Sequence, residues 1–281
     1  MKKILILGSK GQIGEHLFQY LKKRNYRVFG LDIVNSKFED LRNRNNIKFN
    51  SLIKKVDFVF FLAFDVGGSV YLKNYQNSYD FLMNNIAIMQ NVFEQLKKNK
   101  KRFIFASSQM SNMSYSSYGV LKKIGENFTS SLAGITVKFW NVFGIENDPA
   151  KTHVITDFIL KGRSGNHVRM LTNGQEERDF MYAEDCCSAL EFIMKKYREF
   201  KFKKHIDLNT GKSTKIREVA NIISELFLRE GKIVKFIPAK NKDGVQMNKK
   251  NKAERFLFKY WEPKFSLKQG ITQVFNHYTK Y

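Results

Sequence analysis

The sequence predicts an α/β fold: a doubly wound parallel sheet between two helical layers, with a smaller, interleaved C-terminal region. Three observations lead there. Residues 3–7 (KILIL) form an apolar run that stops at Gly8, and a strand without polar alternation is one buried on both faces. Similar short runs then alternate with segments of helical periodicity, the pattern of right-handed βαβ units. The turn joining the first strand to the first helix is rich in glycine, GSKGQIG.

The elements follow in order. Gln12 to Lys23 has helical spacing, with Ile13, Leu17, Tyr20 and Leu21 on one face. Arg27–Asp32 (RVFGLD) and Asp57–Ala63 (DFVFFLA) read as the next strands. Asn77–Lys98 is a long amphipathic helix, and the strand Arg102–Ala106 (RFIFA) follows it. Ser117–Ser131 is helical and Ile135–Trp140 (ITVKFW) strand-like. Beyond Asn141 loops lengthen, and helices at 154–162, 184–197 and 215–230 are interleaved with short strands. WEPKFSLKQGI (261–271) leads into a final helix. No Pro/Gly/Ser linker separates residues 1–145 from 146–281, so the second part is expected to interleave with the first.

Composition bounds the possibilities. With 281 residues, 43% of them hydrophobic, and three prolines, the chain is long enough to bury a core and unlike a disordered protein. Cys186 and Cys187 are adjacent, no C-x-x-C occurs, and the five histidines are scattered, so no metal site is expected and a reducing cytoplasm fits. The apolar run after MKK is too short for a signal peptide. No stretch reaches the roughly 18 apolar residues of a membrane span. The formal charge of +23 raises nucleic acid as a partner. Yet lysines are spread along the chain, densest at 97–102, 195–204 and 240–252, with no arginine-rich recognition helix or aromatic platform. No nucleic-acid partner is expected; a lysine-rich surface also suits a substrate carrying phosphates.

Two constellations carry chemistry. Gly8, Gly11 and Gly14 lie between strand and helix, where glycines let the backbone turn tightly and approach a pyrophosphate set on the helix N-terminus. Gln12 and Ile13 belong to the same turn. Asp32, 18 residues after Gly14, is placed to accept from an adenosine ribose and to repel a 2′-phosphate, favouring NAD over NADP. The competing account is a glycine-rich turn with an incidental aspartate. The second constellation is Ser108, Tyr118 and Lys122. Tyr118 and Lys122 share one helical face, and Ser108 ends a parallel strand, where ligands bind in open α/β sheets. A tyrosine base needs a pKa well below the roughly 10 of the free side chain, and a lysine one turn away favours phenolate. Y-x-x-x-K also arises by chance.

Together these motifs make the chain Rossmann-like, and in order they resemble the extended short-chain dehydrogenase/reductase family, more narrowly its nucleotide-sugar epimerases, dehydratases and reductases. LAFDVGGS (62–69), containing Ala63, is similar to the family's segment after the fourth strand, and ASS (106–108) to the end of the fifth. YGVLKKIGE (118–126) resembles the active-site helix, KFWNVFG (138–144) the R-x-x-N-V-Y-G segment, and GQEERDFMYAEDC (174–186) a G-x-x-x-R-D-F-x-Y-V-x-D pattern. The resemblance implies Ser108, Tyr118 and Lys122 as the catalytic set, with Lys122 also orienting the cofactor ribose. It places Ala63 and Asn85 near the cofactor, and Asn141, His153 and Arg178 near the substrate. Asn85 is equally readable as a solvent-facing or helix-kinking residue, and Arg178 as an ion-pair partner of Glu176 or Glu177. The helices at 77–98 and 117–131 resemble those that pair two subunits, implying a homodimer, although their apolar positions are also consistent with facing only the sheet.

The chain departs from the pattern between Ser108 and Tyr118, where only nine residues, QMSNMSYSS, stand in place of a much longer loop. Gln109–Met110 replaces the acidic pair of the dehydratases, and Gln109 the cysteine of the GDP-fucose synthases, whose partner histidine is kept as His153. Neither side chain transfers protons, which leaves hydride chemistry at a sugar carbon with Tyr118 as acid–base. The expectation is an NAD-dependent epimerase acting on a nucleotide-diphosphate sugar at C4. A 4-keto-sugar reductase using NAD(P)H and a non-catalytic dinucleotide-binding protein are the alternatives.

Overall fold

The computed structural model describes residues 1–241 and 252–279. In chain order the elements are β1 (Lys3–Leu7), α1 (Gln12–Lys22), β2 (Arg27–Leu31), α2 (Ile47–Lys55), β3 (Phe58–Phe61), α3 (Ser69–Tyr75) and α4 (Tyr79–Lys98). Next come β4 (Arg102–Ser108), α5 (Ser117–Ser131), β5 (Ile135–Phe139), β6 (Asn141–Phe143), α6 (Val154–Ser164) and β7 (His167–Arg169). They are followed by β8 (Glu177–Tyr182), α7 (Ala183–Lys195), α8 (Tyr197–Phe200), β9 (Ile206–Leu208), β10 (Ser213–Lys215), α9 (Ile216–Arg229), β11 (Lys235–Ile237) and α10 (Leu267–Thr279). The lysine-rich run noted at 240–252 lies largely outside the described residues.

Six strands form one parallel sheet in the order β2-β1-β3-β4-β5-β9. Because strand side chains alternate with period two, each apolar run feeds two cores. Ile4, Ile6, Phe58, Phe60 and Ile104 pack with Leu17, Leu21, Cys186, Cys187 and Leu190 of α1 and α7. Leu5, Leu7, Val59, Phe61, Phe103 and Phe105 pack on the other side with Phe49, Phe81, Met89, Leu96 and Leu121 of α2, α4 and α5. Phe58, Phe60, Phe61, Phe103 and Phe105 have no exposed surface, each burial stabilising by roughly 1.5–3 kcal/mol.

The strand order reverses at β1, with β2 on one side and β3 on the other. A crevice therefore opens beyond their carboxyl ends. LAFDVGGS follows β3 and ASS is the end of β4, the third and fourth strands of this chain. Residues 32–46 (DIVNSKFEDLRNRNN) contain no apolar run, and form only a 3₁₀ turn at Lys37–Glu39, so β2 stays at the sheet edge.

The later part of the chain interleaves with the first. β9 completes the main sheet and α7 covers it. α6, α9 and α10, with β6, β7 and β8, enclose a separate core of Phe143, Ile155, Phe158, Phe180, Phe227 and Phe275. The buried Asp185 carboxylate accepts Lys264 N–H and Phe265 N–H, each at 2.9 Å, tying the final segment to α7. Among the described residues no helix is long and apolar enough to cross a membrane.

Candidate active site

A cleft of about 560 Å³ opens at the switch point, bounded by the β1–α1 turn, the end of β2, the segments after β3, β4 and β5, and the N-terminal half of α5. The turn shows why its glycines stand where they do. Gly8 has φ +84°, and a Cβ on it would lie 2.7 Å from Ala63 Cα; at Gly14 a Cβ would come within 1.9 Å of the Gly8 carbonyl oxygen. These two let the turn close and α1 pack beneath it. At Gly11 a Cβ would meet nothing nearer than the Gly8 oxygen at 3.4 Å, so the space it would fill belongs to the cleft. Gly11 is also the N-cap of α1 with no side-chain cap, which leaves the first helical N–H groups for an anion. The residues present therefore fit a dinucleotide pyrophosphate.

Asp32 stands beside this turn. Its Oδ2 accepts Lys10 N–H at 2.8 Å and its Oδ1 accepts Val34 N–H at 3.0 Å. Beneath it the buried Glu39 carboxylate accepts Asp32 N–H at 2.8 Å and pairs with Lys48. Both carboxylates line the cleft, a negative pair where a 2′-phosphate would add further negative charge.

At the other end of the cleft Ser108, Tyr118 and Lys122 come together, each buried. The short connection achieves this with a 3₁₀ turn at Gln109–Asn112, anchored by Met110 N–H donating to Ser108 Oγ at 3.1 Å. Ser116 then caps α5, accepting Gly119 N–H at 3.1 Å and donating to Gln76 Oε1 at 2.8 Å. The connection crosses α5 so closely that a Cβ on Gly119 would lie 2.2 Å from the Met110 oxygen. A glycine after the tyrosine is thus a condition of the short loop. Met110 lines the cleft; Gln109 is buried outside it.

The electrostatics differ from expectation. Burial pushes the Tyr118 phenol up to about 12, with a hydrogen bond from Ser108 acting the other way. Burial likewise pulls the Lys122 ammonium down to about 7, against the opposing field of Glu126. Lys122 Nζ donates to the Ala106 carbonyl at 2.6 Å and sits 3.7 Å from the Phe64 ring centroid, 5.7 Å from that of Tyr118. Bonded to the Ala106 carbonyl and desolvated, the lysine does not offset the cost of burying a phenolate.

Of the other expected residues, Gln12, Ile13, Ala63, Asn141 and His153 line the cleft. His153 is held by Glu146, which accepts its Nδ1 at 2.6 Å and its backbone N–H at 2.9 Å. Burial raises the Glu146 pKa, but these bonds leave it below the ordinary carboxylate range. Asn85 stands behind the wall: fully buried, it accepts Asp65 N–H at 2.7 Å and donates to the Asp65 and Phe81 carbonyls at 3.1 and 2.9 Å. It shapes the cofactor side of the cleft without lining it. Arg178 does not line the cleft either; its guanidinium donates to the Glu177 carbonyl at 2.8 Å. Sequence reasoning missed Phe64, Asp65, Glu146 and Lys151, which do. Phe64 and Asp65 directly follow the recognised Ala63, a signal that was present. Glu146 and Lys151 lie in a loop without periodicity and carry none.

A family model described as the NAD dependent epimerase/dehydratase family matches residues 4–209. The chain belongs to this family. Among the similar proteins within it, a GDP-L-fucose synthase of Sinorhizobium fredii is 24% identical, covering 99% of this chain and 95% of its own length. A putative UDP-glucose 4-epimerase of Methanocaldococcus jannaschii is 27% identical, covering 97% of each. The solved structure of the epimerase Mth375 of Methanothermobacter thermautotrophicus shares the fold, with a TM-score of 0.82 at 22% identity, covering 99% of this chain and 92% of that one. The family match ends just after β9, so it spans the whole main sheet.

Proposed function

We propose that this member of the epimerase/dehydratase family is an NAD-dependent nucleotide-sugar epimerase that inverts a sugar carbon, C4, through a keto intermediate. The observation that carries the reading is the convergence, in one cleft, of the Gly8–Gly14 turn and Asp32 with Ser108, Tyr118 and Lys122. The relatives named as a GDP-L-fucose synthase and a UDP-glucose 4-epimerase support a nucleotide sugar as substrate. Residues 1–145 are assigned to the dinucleotide, and 146–281 to the sugar nucleotide.

When bound, the oxidised nicotinamide supplies a hydride acceptor and a positive charge. Gly11, Gln12 and Ile13 would hold its pyrophosphate, Asp32 its adenosine ribose, and Lys122 its second ribose. Tyr118 takes the proton of the sugar hydroxyl and later returns it, while Ser108 hydrogen-bonds the same oxygen. Since the side chains around Tyr118 leave its pKa raised, the phenolate depends on charge brought by the ligand and on Lys122 turning towards it. Asn141 and His153 are assigned to the sugar side of the cleft. No residue at 109–110 adds proton-transfer chemistry, consistent with simple hydride exchange.

The assignment also includes a cytoplasmic homodimer. Met83 and Ile86 of α4 and Val120, Ile124 and Phe128 of α5 are each 40–46% exposed, so the apolar positions do not all face the sheet. An apolar face of this kind on neighbouring helices suits a second copy of the chain.

The test is twofold. Tyr118→Phe should lower turnover of the nucleotide-sugar substrate at least roughly a hundredfold with the fold retained; normal turnover would refute the assignment of the base. Chromatography of the purified, denatured protein should release bound NAD. An empty site that instead takes up NAD(P)H and reduces a 4-keto sugar would make the chain a reductase. NAD binding without conversion of any UDP-, GDP-, dTDP- or CDP-sugar would make it a binding protein.

A further inference from the structure

Behind the Ser–Tyr–Lys set lies a buried ionic cluster that the proposed chemistry does not use. Glu126, one turn beyond Lys122 on α5, has a carboxylate 7% exposed, and Lys138 on β5 has a side chain 4% exposed, 3.3 Å from it. Ser107 Oγ, at the end of β4, donates to Glu126 Oε1 at 2.7 Å. Lys123 approaches the other oxygen at 3.0 Å. Lys138 Nζ in turn donates to Asn112 Oδ1 at 3.2 Å, reaching the turn that replaces the longer loop. One carboxylate and one ammonium thus connect the catalytic helix, the two strand ends beside it and the shortened connection. Isolated charges are costly so far from water, yet here each is paired and hydrogen-bonded.

We propose that Glu126 is a positioning residue: its carboxylate seats α5 on the end of β4, beside Ser108, and is the negative charge that Lys122 senses. The groups facing Lys122 make the second half specific. Those on α5 are Tyr118, a neutral phenol, and Glu126; β4 presents the Ala106 carbonyl and the Phe105 ring, and the segment after β3 the Phe64 ring. Glu126 is the charged group acting on Lys122, and it acts to keep the ammonium protonated. Facing Glu126 are Ser111 from the 3₁₀ turn, Ser107 from β4, Lys123 from α5 and Lys138 from β5. Burial raises its pKa, but these partners leave it below the ordinary range, so the carboxylate is ionised throughout the range in which Lys122 titrates. The consequence for catalysis rests on the epimerase reading; the consequence for Lys122 does not.

The experiment is a carbon-13 NMR titration of Lys122 Cε in the full-length protein, the resonance assigned with Lys122→Arg. Glu126→Gln should lower the Lys122 midpoint by about one pH unit. Because that variant leaves Lys138 buried and unpaired, the double variant Glu126→Gln/Lys138→Met, which removes both charges, is measured beside it; it should show the same fall. Lys138→Met alone should show none. An unchanged midpoint in the folded double variant overturns the proposal. A shifted midpoint in a protein that converts no nucleotide sugar supports the role of Glu126 while removing the epimerase reading.

Discussion

Replacing Lys122 by methionine should make the protein more stable at neutral and mildly acidic pH while abolishing its activity. The ammonium is buried, and its pKa falls from 10.5 to about 7 on folding. In the unfolded chain the lysine is protonated across this range, so between about pH 7 and 10.5 the unfolded state binds more protons than the folded one. Stability attributable to this group therefore rises with pH through that window, and the penalty is greatest below about 7. At roughly 1.4 kcal/mol per pH unit of difference, the full penalty is about 5 kcal/mol. Methionine has similar length and no charge, so Lys122→Met should gain a few kcal/mol at about pH 6, and that advantage should shrink by about 2.5 kcal/mol by about pH 9. Urea unfolding of both proteins across this range measures the difference. A variant destabilised at about pH 6 would show that the buried ammonium is not a net cost, and a difference from the parent that does not change with pH would show that Lys122 keeps its proton on folding; either result refutes the reasoning.

Two further outcomes follow from the geometry. Gly119→Ala places a methyl group 2.2 Å from the Met110 oxygen, and should cost about 1–3 kcal/mol while displacing the 109–116 connection; unfolding and turnover measured together should both fall. Ile124→Glu puts a charge amid the exposed apolar positions of α4 and α5 and should yield a monomer by sedimentation velocity with its unfolding midpoint little changed. A parent protein that already sediments as a monomer would remove the dimer proposal.

Much of this molecule was legible in its residues because its strongest signals are local. The doubly buried strands announce themselves as apolar runs, since β1, β3 and β4 send consecutive side chains into two different cores. Gly8 and Gly14 of the β1–α1 turn are likewise required by contacts within a few residues or with the segment after β3. Tyr118 and Lys122 share a face through helix periodicity alone. Tertiary structure decided the rest. That the nine residues after Ser108 bring it against Tyr118 depends on Gly119 passing under the Met110 carbonyl. The place of Asn85 behind the wall depends on Asp65 folding back onto α4. The spacing of Tyr118 and Lys122 sets the face they occupy but not the water around them, and so not their pKa values. Burial, the Ala106 carbonyl and the Phe64 ring are all supplied by other segments, and they turn an expected phenolate into a neutral phenol beside a half-charged lysine. The clamp between Glu126 and Lys138 joins residues from a helix and a neighbouring strand that no periodicity relates. Sequence alone settled which elements form and which chemical groups the chain carries. Desolvation and charge pairing, which depend on everything packed around a group, were decided only by the fold.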